Sequence, residues 1–196
     1  MITKTIHLPD IIYQIDSSLK HENYIAALTL ALMIPDKCGK IEHPDWPSKK
    51  RYVDWYDTHC WCDGYCVINN PSISEDELPN VDGAFIYQLR CAMLHENTTE
   101  LDYSKLEDKN KVDEFQLILA DSSEDIFSVF ASGIINGEKR LARIRLIDLC
   151  KLICYAANEY YEGNKEKVDS SNNIQIIDVR TLKRQRQRNY KRVQQI

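Results

Sequence analysis

The sequence predicts a single, mainly helical domain that carries a small appended antiparallel β-hairpin or sheet. Along most of the chain, apolar residues recur at intervals of three and four, which is the spacing of one helix face. Two short stretches alternate apolar and polar residues instead, as half-buried strands do. A chain of 196 residues can bury a core as one domain. We therefore assign residues 1–179 to one helical domain, with the β insertion at about 113–146.

Two helices are predicted near the start of the chain. The first begins at Pro9, continues through apolar residues at helical spacing, and ends near Lys20. The second runs from Glu22 to about Met33 and is apolar on nearly every side, so we expect it to be the central helix of the core. Pro35 should end this helix, because proline lacks the backbone N–H and clashes with the preceding turn.

Residues 35–82 are predicted to be mostly loop, because they contain five of the six prolines. A short helix near Lys49–His59 interrupts them. Tryptophan and tyrosine side chains in this region supply apolar area, so we expect the segment to pack rather than to be disordered. A longer helix is then predicted from about Val81 to Asn97.

The predicted strands lie in the second half of the chain. Phe115–Ala120 and Leu141–Leu146 should pair as a hairpin across a loop that contains Gly133 and Gly137. The segment IQIIDV, residues 174–179, favours a further short strand. These stretches are short, so the predicted sheet is an addition to the helical bundle.

The last core helix is predicted from Ile147 to about Glu162, where apolar residues form a stripe at helical spacing. Gly163 should end it, because glycine is favoured directly after a helix. Cys150 and Cys154 lie four residues apart on this helix, a spacing that metal ligands also use. Their apolar neighbours favour two thiols in the core.

Charge is distributed unevenly along the chain, whose formal net charge is -5. Residues 180–196 contain seven basic residues and no acidic one, which leaves 18 basic against 30 acidic residues in positions 1–179. We therefore expect the body of the protein to repel phosphate and the tail to attract it. The alternatives for the tail are a solvated end or docking on the acidic body. The candidate RNA-binding residues of the tail are Lys183, Arg184, Arg186, Arg188, Lys191 and Arg192.

Cysteine usage and hydropathy indicate a cytoplasmic protein. The seven cysteines are an odd number at irregular spacings, which favours free thiols in a reducing compartment. No stretch approaches the roughly 20 apolar residues that a membrane-spanning helix requires. The first ten residues, MITKTIHLPD, lack the apolar centre of a secretory signal. We therefore expect no membrane association.

The helix predicted at 81–97 has apolar residues on two sides. At about 100° per residue, one side forms a continuous apolar face that should point into the domain. It consists of Phe85, Ile86, Leu89, Ala92 and Met93. The opposite side carries a second stripe, where a surface helix would be charged. This stripe consists of Tyr87, Cys91 and Leu94, and we expect something to cover it as well.

Arg90 and His95 flank the second stripe, one on each edge. In a straight helix they are about 140° apart around the axis and about 7.5 Å apart along it, so one helix does not bring them together. Two copies that cross about a two-fold axis would bring both arginines and both histidines to one groove. We therefore predict a homodimer with Tyr87, Cys91 and Leu94 at its interface.

Such a groove would hold the groups that cleave RNA without a metal. The guanidinium of Arg90 supplies a fixed cation for the charge that develops on the phosphate. The imidazole of His95 titrates near neutral pH and can move protons. The 2′-hydroxyl of RNA is the nucleophile in this chemistry, so no protein nucleophile is needed.

The segment YQLRCAMLHE, with Arg90 and His95 in it, resembles the Arg, four residues, His motif of HEPN domains. The stretches IAALTLALMIPDKCGK, KRYVDWYD, KVDEFQLILA and LIDLCKLICYAANEYYEGNKEK are similar to those of small bacterial HEPN-like proteins, so the resemblance covers roughly residues 10–180. It implies a helical bundle that acts as a dimeric ribonuclease in bacterial defence or toxin systems. It also implies RNA as substrate, a cognate antitoxin or other protein as partner, and no cofactor.

One position departs from the family, since active HEPN nucleases often have a polar residue after the motif arginine and Cys91 stands there. A second function therefore stays open: a non-catalytic dimeric module that binds a protein or a nucleotide. Glu96 follows the motif histidine and could orient a side chain in the groove or raise the histidine pKa. A solvent-facing acid near the helix end is the alternative for Glu96.

A zinc site is the last possibility raised by the sequence. Cys60, Cys62 and Cys66, with Cys38, His43 and His59 nearby in sequence, could in principle supply four ligands. Their CxCxxxC spacing differs from that of the usual zinc knuckles, and small thiols in an aromatic-rich loop explain it as well. We therefore assign no metal.

Overall fold

The computed structural model describes residues 2–60, 82–96, 98–101, 112–119, 130–135, 139–171 and 173–178. These residues form a mainly helical fold with small sheets, as predicted. The elements in chain order are β1 (Ile2–Ile6), α1 (Leu8–Lys20), α2 (Tyr24–Ala31), α3 (Ile34–Glu42), α4 (Ser48–His59), α5 (Gly83–Cys91), a π-helical turn (Ala92–Glu96), β2 (Glu114–Ile118), β3 (Phe130–Ile135), β4 (Lys139–Arg145), α6 (Leu146–Ser170) and β5 (Ile174–Asp178).

The core lies between α6 and the helices that surround it. α6 contacts α1, α2, α3 and α4, while α5 packs on α4. The largest fully buried side chains include Trp55 and Tyr52 of α4. α2 was predicted to be the central helix, but Ile25 on it is 60% exposed. The central position belongs to α6, because its longer apolar stripe meets four other helices.

The helix α3 corrects the prediction that residues 35–47 are loop. Pro35 occupies the first turn of α3 instead of simply ending α2. Proline is tolerated there because the N–H of a first-turn residue has no partner within the helix. Gly39 faces the backbone carbonyl of Arg51 on α4 so closely that a Cβ would collide with it. The proline and the glycine that suggested a loop therefore have other roles: Pro35 lies at the start of a helix, and Gly39 allows two helices to cross closely.

The predicted end of the last helix at Gly163 is wrong. α6 continues to Ser170 past a kink at Asn164, whose backbone has φ -135° and ψ 25°. The Asn164 side-chain amide donates to the Tyr160 carbonyl at 3.0 Å and so bonds a backbone group at the kink. The helix beyond the kink brings Lys167 and Val168 back onto the fold, where Val168 is fully buried.

The sheets match the predicted strands but not their predicted pairing. β2 and β4 were expected to form a hairpin, yet they pair in parallel, with Phe115 opposite Ala142. β4 instead forms the antiparallel pair with β3, which occupies part of the segment predicted to be a loop and contains Gly133. The short strand expected at 174–179 is present as β5, and it pairs with β1, which was not predicted.

No helix in the described part of the chain combines the length and the apolar character that crossing a membrane requires.

Candidate functional site

Contacts at the start of α5 hold this helix, which carries Arg90, against α4. The Phe85 N–H donates to the Asp82 carboxylate at 2.9 Å, which caps the helix. The Gly83 N–H donates to the Asp57 carboxylate of α4 at 2.6 Å. A Cβ on Gly83 would lie 2.6 Å from the carbonyl oxygen of Val53, so a glycine allows the two helices to approach this closely.

The inward face of α5 is the one that the sequence predicts. Phe85, Ile86 and Leu89 are fully buried, and Ala92 is 3% exposed. Met93 is partly buried against the same core. The prediction of an inner apolar face is therefore confirmed, and the rotation of the helix places Arg90 at its edge.

The guanidinium of Arg90 lies beside two tyrosine rings. Its central carbon is 5.7 Å from the centre of the Tyr52 ring and 5.8 Å from that of Tyr87. The two rings meet edge to face at 5.3 Å. Tyr52 is fully buried and its hydroxyl donates to the Leu32 carbonyl at 3.1 Å, so this ring is held firmly. Cation–π attraction to such rings positions the guanidinium without neutralising its charge.

Arg90 keeps its charge available in the part of the chain that the structure describes. Its Nε is buried and no acceptor among the described residues bonds to it. Within the same ranges no carboxylate forms an ion pair with Arg90. Asp36, which lines the same cavity, is instead paired with Arg51 at 2.9 Å. A buried donor without an acceptor is costly, so a ligand acceptor at this position would be favoured.

Arg90 opens onto a cavity of about 230 Å³, which we call the Arg90 cavity. Its polar lining comes from Arg90, Lys37 and Asp36, and its apolar walls include Ile11, Met33 and Ile174. Met33 and Ile174 are exposed, so the cavity faces solvent. A cation beside apolar walls suits a ligand that has both an anionic group and a flat apolar part.

His95 lies on the π-helical turn that follows α5. The motif was predicted on a straight helix, with its two residues about 140° apart. Because a π turn holds more than four residues, each residue advances by about 80–90° and the angle between positions 90 and 95 falls towards 90°. The backbone therefore brings the two motif positions closer around the axis than the prediction allowed. Single π turns are frequent at functional sites.

The second stripe of the helix is partly exposed, and its members also contact one another. Tyr87, Cys91 and Leu94 are all intermediate in exposure. Tyr87 lies close to Cys91, and its ring packs against Tyr52. Burial is the main cause of a raised pKa for Tyr87. Part of the stripe is thus covered within the chain, while the rest is available to a partner.

The remaining predicted site residues are Glu96, whose backbone the structure describes, and a group that lies outside the described residues. The backbone of Glu96 ends the π turn. Cys62, Cys66 and the six basic tail residues, Lys183, Arg184, Arg186, Arg188, Lys191 and Arg192, are outside the described ranges. Among the described residues no group of three potential ligands is close enough to hold a metal.

Two residues of the zinc alternative have other partners. His43 stacks on Trp46, with ring centres 3.8 Å apart, and its Nε2 is 3.2 Å from the Asp54 carboxylate. His59 is 3.4 Å from the Glu42 carboxylate.

The two cysteines of the last helix are core thiols, as predicted. Cys150 is fully buried, and Cys154 is partly buried against the same cluster. Burial raises the pKa of Cys150 to about 12 and that of Cys154 to about 11. Raised pKa values of this kind favour the protonated thiol at neutral pH, as expected for cysteines of the core.

Sequence reasoning missed Tyr52 as a support of Arg90 and Lys37 as its neighbour. Tyr52 was counted only among the aromatic side chains that supply packing area. Its helical spacing to Trp55 and Tyr56 could have placed all three on the inner face of α4. Lys37 was missed because α3 was predicted to be loop, and a loop gives no indication of which side chains meet.

Comparison of the chain with protein-family models, curated proteins and solved structures gives no match.

Proposed function

We propose that this protein is a metal-independent endoribonuclease of the HEPN type that acts as a homodimer. Arg90 contacts the scissile phosphate, and His95 is the general acid and base. The 2′-hydroxyl of the substrate attacks the adjacent phosphorus while the bond to the 5′-oxygen breaks. The products are a 2′,3′-cyclic phosphate and a 5′-hydroxyl, so the reaction needs neither a metal nor water in its first step.

The observation that carries the proposal is the state of Arg90. Its guanidinium lies over two tyrosine rings, its Nε is buried without an acceptor among the described residues, and it opens onto a solvent-facing cavity. A structural arginine is normally paired with carboxylates or carbonyls. A guanidinium that is held in place, with no carboxylate paired to it among the described residues, is suited to stabilise the charge that develops on a phosphorane.

The dimer supplies the second half of the proposed site. Tyr87, Cys91 and Leu94 are partly exposed on the side of the helix flanked by the two motif residues. An isologous contact through this stripe places two Arg90 and two His95 around one groove. Glu96 follows the histidine and would support its charged form. The π turn favours the arrangement, because it reduces the angle that separates the motif positions.

The family resemblance also suggests the setting of this activity. A cytoplasmic ribonuclease in a toxin system or in phage defence would be held inactive by a cognate protein. The basic tail would add non-specific contacts to RNA through its six candidate residues, Lys183, Arg184, Arg186, Arg188, Lys191 and Arg192.

The direct test is incubation of the purified protein with mixed RNAs in the presence of a chelator. We expect cleavage that yields cyclic phosphate ends. It should fall by at least about a hundredfold in His95→Ala, as expected for the loss of a general acid and base. Arg90→Lys retains the charge but loses the planar guanidinium, so the cleavage rate should fall less in Arg90→Lys than in Arg90→Ala.

Two matched controls separate the site from general effects. His21→Ala removes an exposed histidine, and Arg143→Ala removes an exposed arginine of β4. Both should cleave RNA at the wild-type rate. Cleavage that persists in His95→Ala, or that no variant of the motif changes, would contradict the proposal.

A second candidate function is favoured by the walls of the Arg90 cavity. Ile11, Met33 and Ile174 beside Arg90 and Lys37 would suit the base and phosphate of a nucleotide bound without cleavage. Such a module would bind nucleotides in a calorimeter, and Arg90→Ala would abolish binding, while RNA would remain intact in every variant.

A further inference from the structure

A second cavity lies next to the Arg90 cavity. It has a volume of about 570 Å³, and its lining includes Asp36, Lys37, Lys40, Arg51, Lys167 and Ser170. Asp36 and Lys37 also line the Arg90 cavity, so the two cavities are neighbours. We call this second cavity the basic trough, because four of its lining side chains are cations and one is a carboxylate.

The carboxylate of the basic trough is already paired. The Nε and Nη2 atoms of Arg51 lie 3.0 and 2.9 Å from one oxygen of Asp36. Ser48 donates its hydroxyl to the same oxygen at 3.0 Å. Asp36 is therefore matched with Arg51, and the charges of the three lysines remain uncompensated within the trough.

The trough lysines have neutral partners or none among the described residues. Lys37 donates to the side-chain oxygen of Asn173 at 2.9 Å, and Lys40 donates to the carbonyl of Pro44. The ammonium of Lys167 has no hydrogen-bond or ion-pair partner among the described residues, although its backbone carbonyl accepts from the Ser170 hydroxyl at 3.2 Å. Partial burial lowers the pKa of Lys37, as expected for an ammonium that has lost water without gaining a counter-charge. An anion in the trough would relieve that cost.

Some lysines elsewhere on the described surface are paired with carboxylates. Lys20 is paired with Asp16 at 2.7 Å, and Lys165 is paired with Glu162 at 2.7 Å. Lys165 is only two residues from Lys167 on α6. Three lysines without a carboxylate partner among the described residues therefore lie together at the trough, in a chain whose net charge is -5. Such a local excess attracts polyanions even when the whole protein is acidic.

We propose that the basic trough binds the phosphate backbone of single-stranded RNA and leads the strand to Arg90. The choice of RNA as the polyanion rests on the proposed ribonuclease function. The neighbouring cavity favours a nucleic acid over an acidic peptide, because its apolar walls at Ile11 and Met33 suit the face of a base. A peptide of acidic residues has no group for such walls.

The test measures RNA binding separately from cleavage. A labelled single-stranded RNA of mixed sequence is titrated with the full chain in a chelator, and fluorescence anisotropy gives the dissociation constant at several salt concentrations. All binding variants carry His95→Ala as well, so that the RNA stays intact. The trough variant is the double substitution Lys40→Glu and Lys167→Glu, which leaves the half-buried Lys37 in place.

The matched control is the double substitution Lys20→Glu and Lys151→Glu, which makes the same charge change as the trough variant at two exposed lysines that do not line the trough. Lys151 is exposed and lies 16 positions earlier on α6, about 24 Å along the axis. We expect the trough variant to weaken RNA binding at least about tenfold and to reduce the salt slope of log K by about 1.4, since about 0.7 is lost per phosphate contact. The control should change affinity by less than about twofold.

The outcomes separate the trough from the ribonuclease. If the trough variant and the control variant Lys20→Glu, Lys151→Glu bind RNA equally well, the trough proposal is wrong, whatever the cleavage assay shows. If polyglutamate of equal charge competes as well as RNA, the assignment to nucleic acid is wrong. Trough-dependent RNA binding without any cleavage by the wild-type protein would refute the ribonuclease and support the trough. The double variant Lys40→Gln and Lys167→Gln, with its circular dichroism compared with wild type, guards against misfolding.

Discussion

Gly83→Ala should destabilise the protein, because α4 and α5 are in contact at this glycine. The added Cβ would lie 2.6 Å from the Val53 carbonyl oxygen and 2.9 Å from its Cα, where ordinary contact begins at 3.4 Å. α5 would therefore have to move away by about 0.8 Å. Forcing one extra carbon into such a contact costs about 1–3 kcal/mol of unfolding free energy. The better helix propensity of alanine offsets about 0.5–1 kcal/mol at most.

The assay is urea unfolding followed by circular dichroism, supported by thermal melts. A net loss of about 1 kcal/mol corresponds to a decrease in Tm of about 2–4 °C in a chain of this size. Gly163→Ala is the matched control, because a Cβ there meets nothing within 4 Å. It should leave stability unchanged or raise it slightly. If Gly83→Ala were as stable as Gly163→Ala, α4 and α5 would not be as close as described.

Three further changes test the surroundings of the site. Tyr52→Phe should lower the unfolding free energy measured in urea by about 1–2 kcal/mol, because the buried carbonyl of Leu32 loses its hydrogen-bond donor. RNA cleavage should persist, because the aromatic ring beside Arg90 remains. Burial raises the pKa of Asp57 above its ordinary 3.8. The wild type should therefore lose stability relative to Asp57→Asn as the pH rises from below 3.8 through that raised pKa. A difference in unfolding free energy that does not change with pH would contradict this expectation. Leu94→Glu should give monomers in sedimentation and abolish cleavage, whereas a dimer that persists would exclude this stripe as the interface.

The sequence predicted those elements whose apolar spacing is long and regular. α1, α2, α4 and the first part of α6 were expected within a few residues of their observed limits, because a face that must be buried repeats at helical spacing. α3 has no such repeat. It is nine residues long and contains both proline and glycine, so its sequence resembles a loop. Its helical form depends on packing against α4 and α6.

The pairing of the strands could not be predicted from the sequence, for a related reason. The alternation in β2 and β4 marks each as a strand, but it does not say which strands are neighbours or in which direction they run. The predicted hairpin assumed that strands close in sequence pair with each other. In the structure β3 takes the antiparallel position beside β4, and β2 is left with the parallel one.

The basic trough shows the same limit at the level of function. Its cations come from α3, from α4 and from the last turns of α6, which are up to 130 residues apart in the chain. The total charge of residues 1–179 predicted a surface that repels phosphate. A net charge summed along the sequence cannot show that cations from three helices meet in one place. The motif on α5 and the π-helical turn that follows it, by contrast, was visible because its two residues are only five positions apart.

The two close helix contacts explain why the trough and Arg90 lie next to each other. Gly39 of α3 faces the carbonyl of Arg51, and Gly83 of α5 faces the carbonyl of Val53, so both helices approach the backbone of α4 at positions that flank Tyr52. Tyr52 is buried between them and supports Arg90, while Lys37 of α3 lines both cavities. A larger residue at either glycine would displace one cation relative to the other. The distance between the proposed binding and cleavage positions is therefore set by α4, which contributes Tyr52 and Arg51 from adjacent positions.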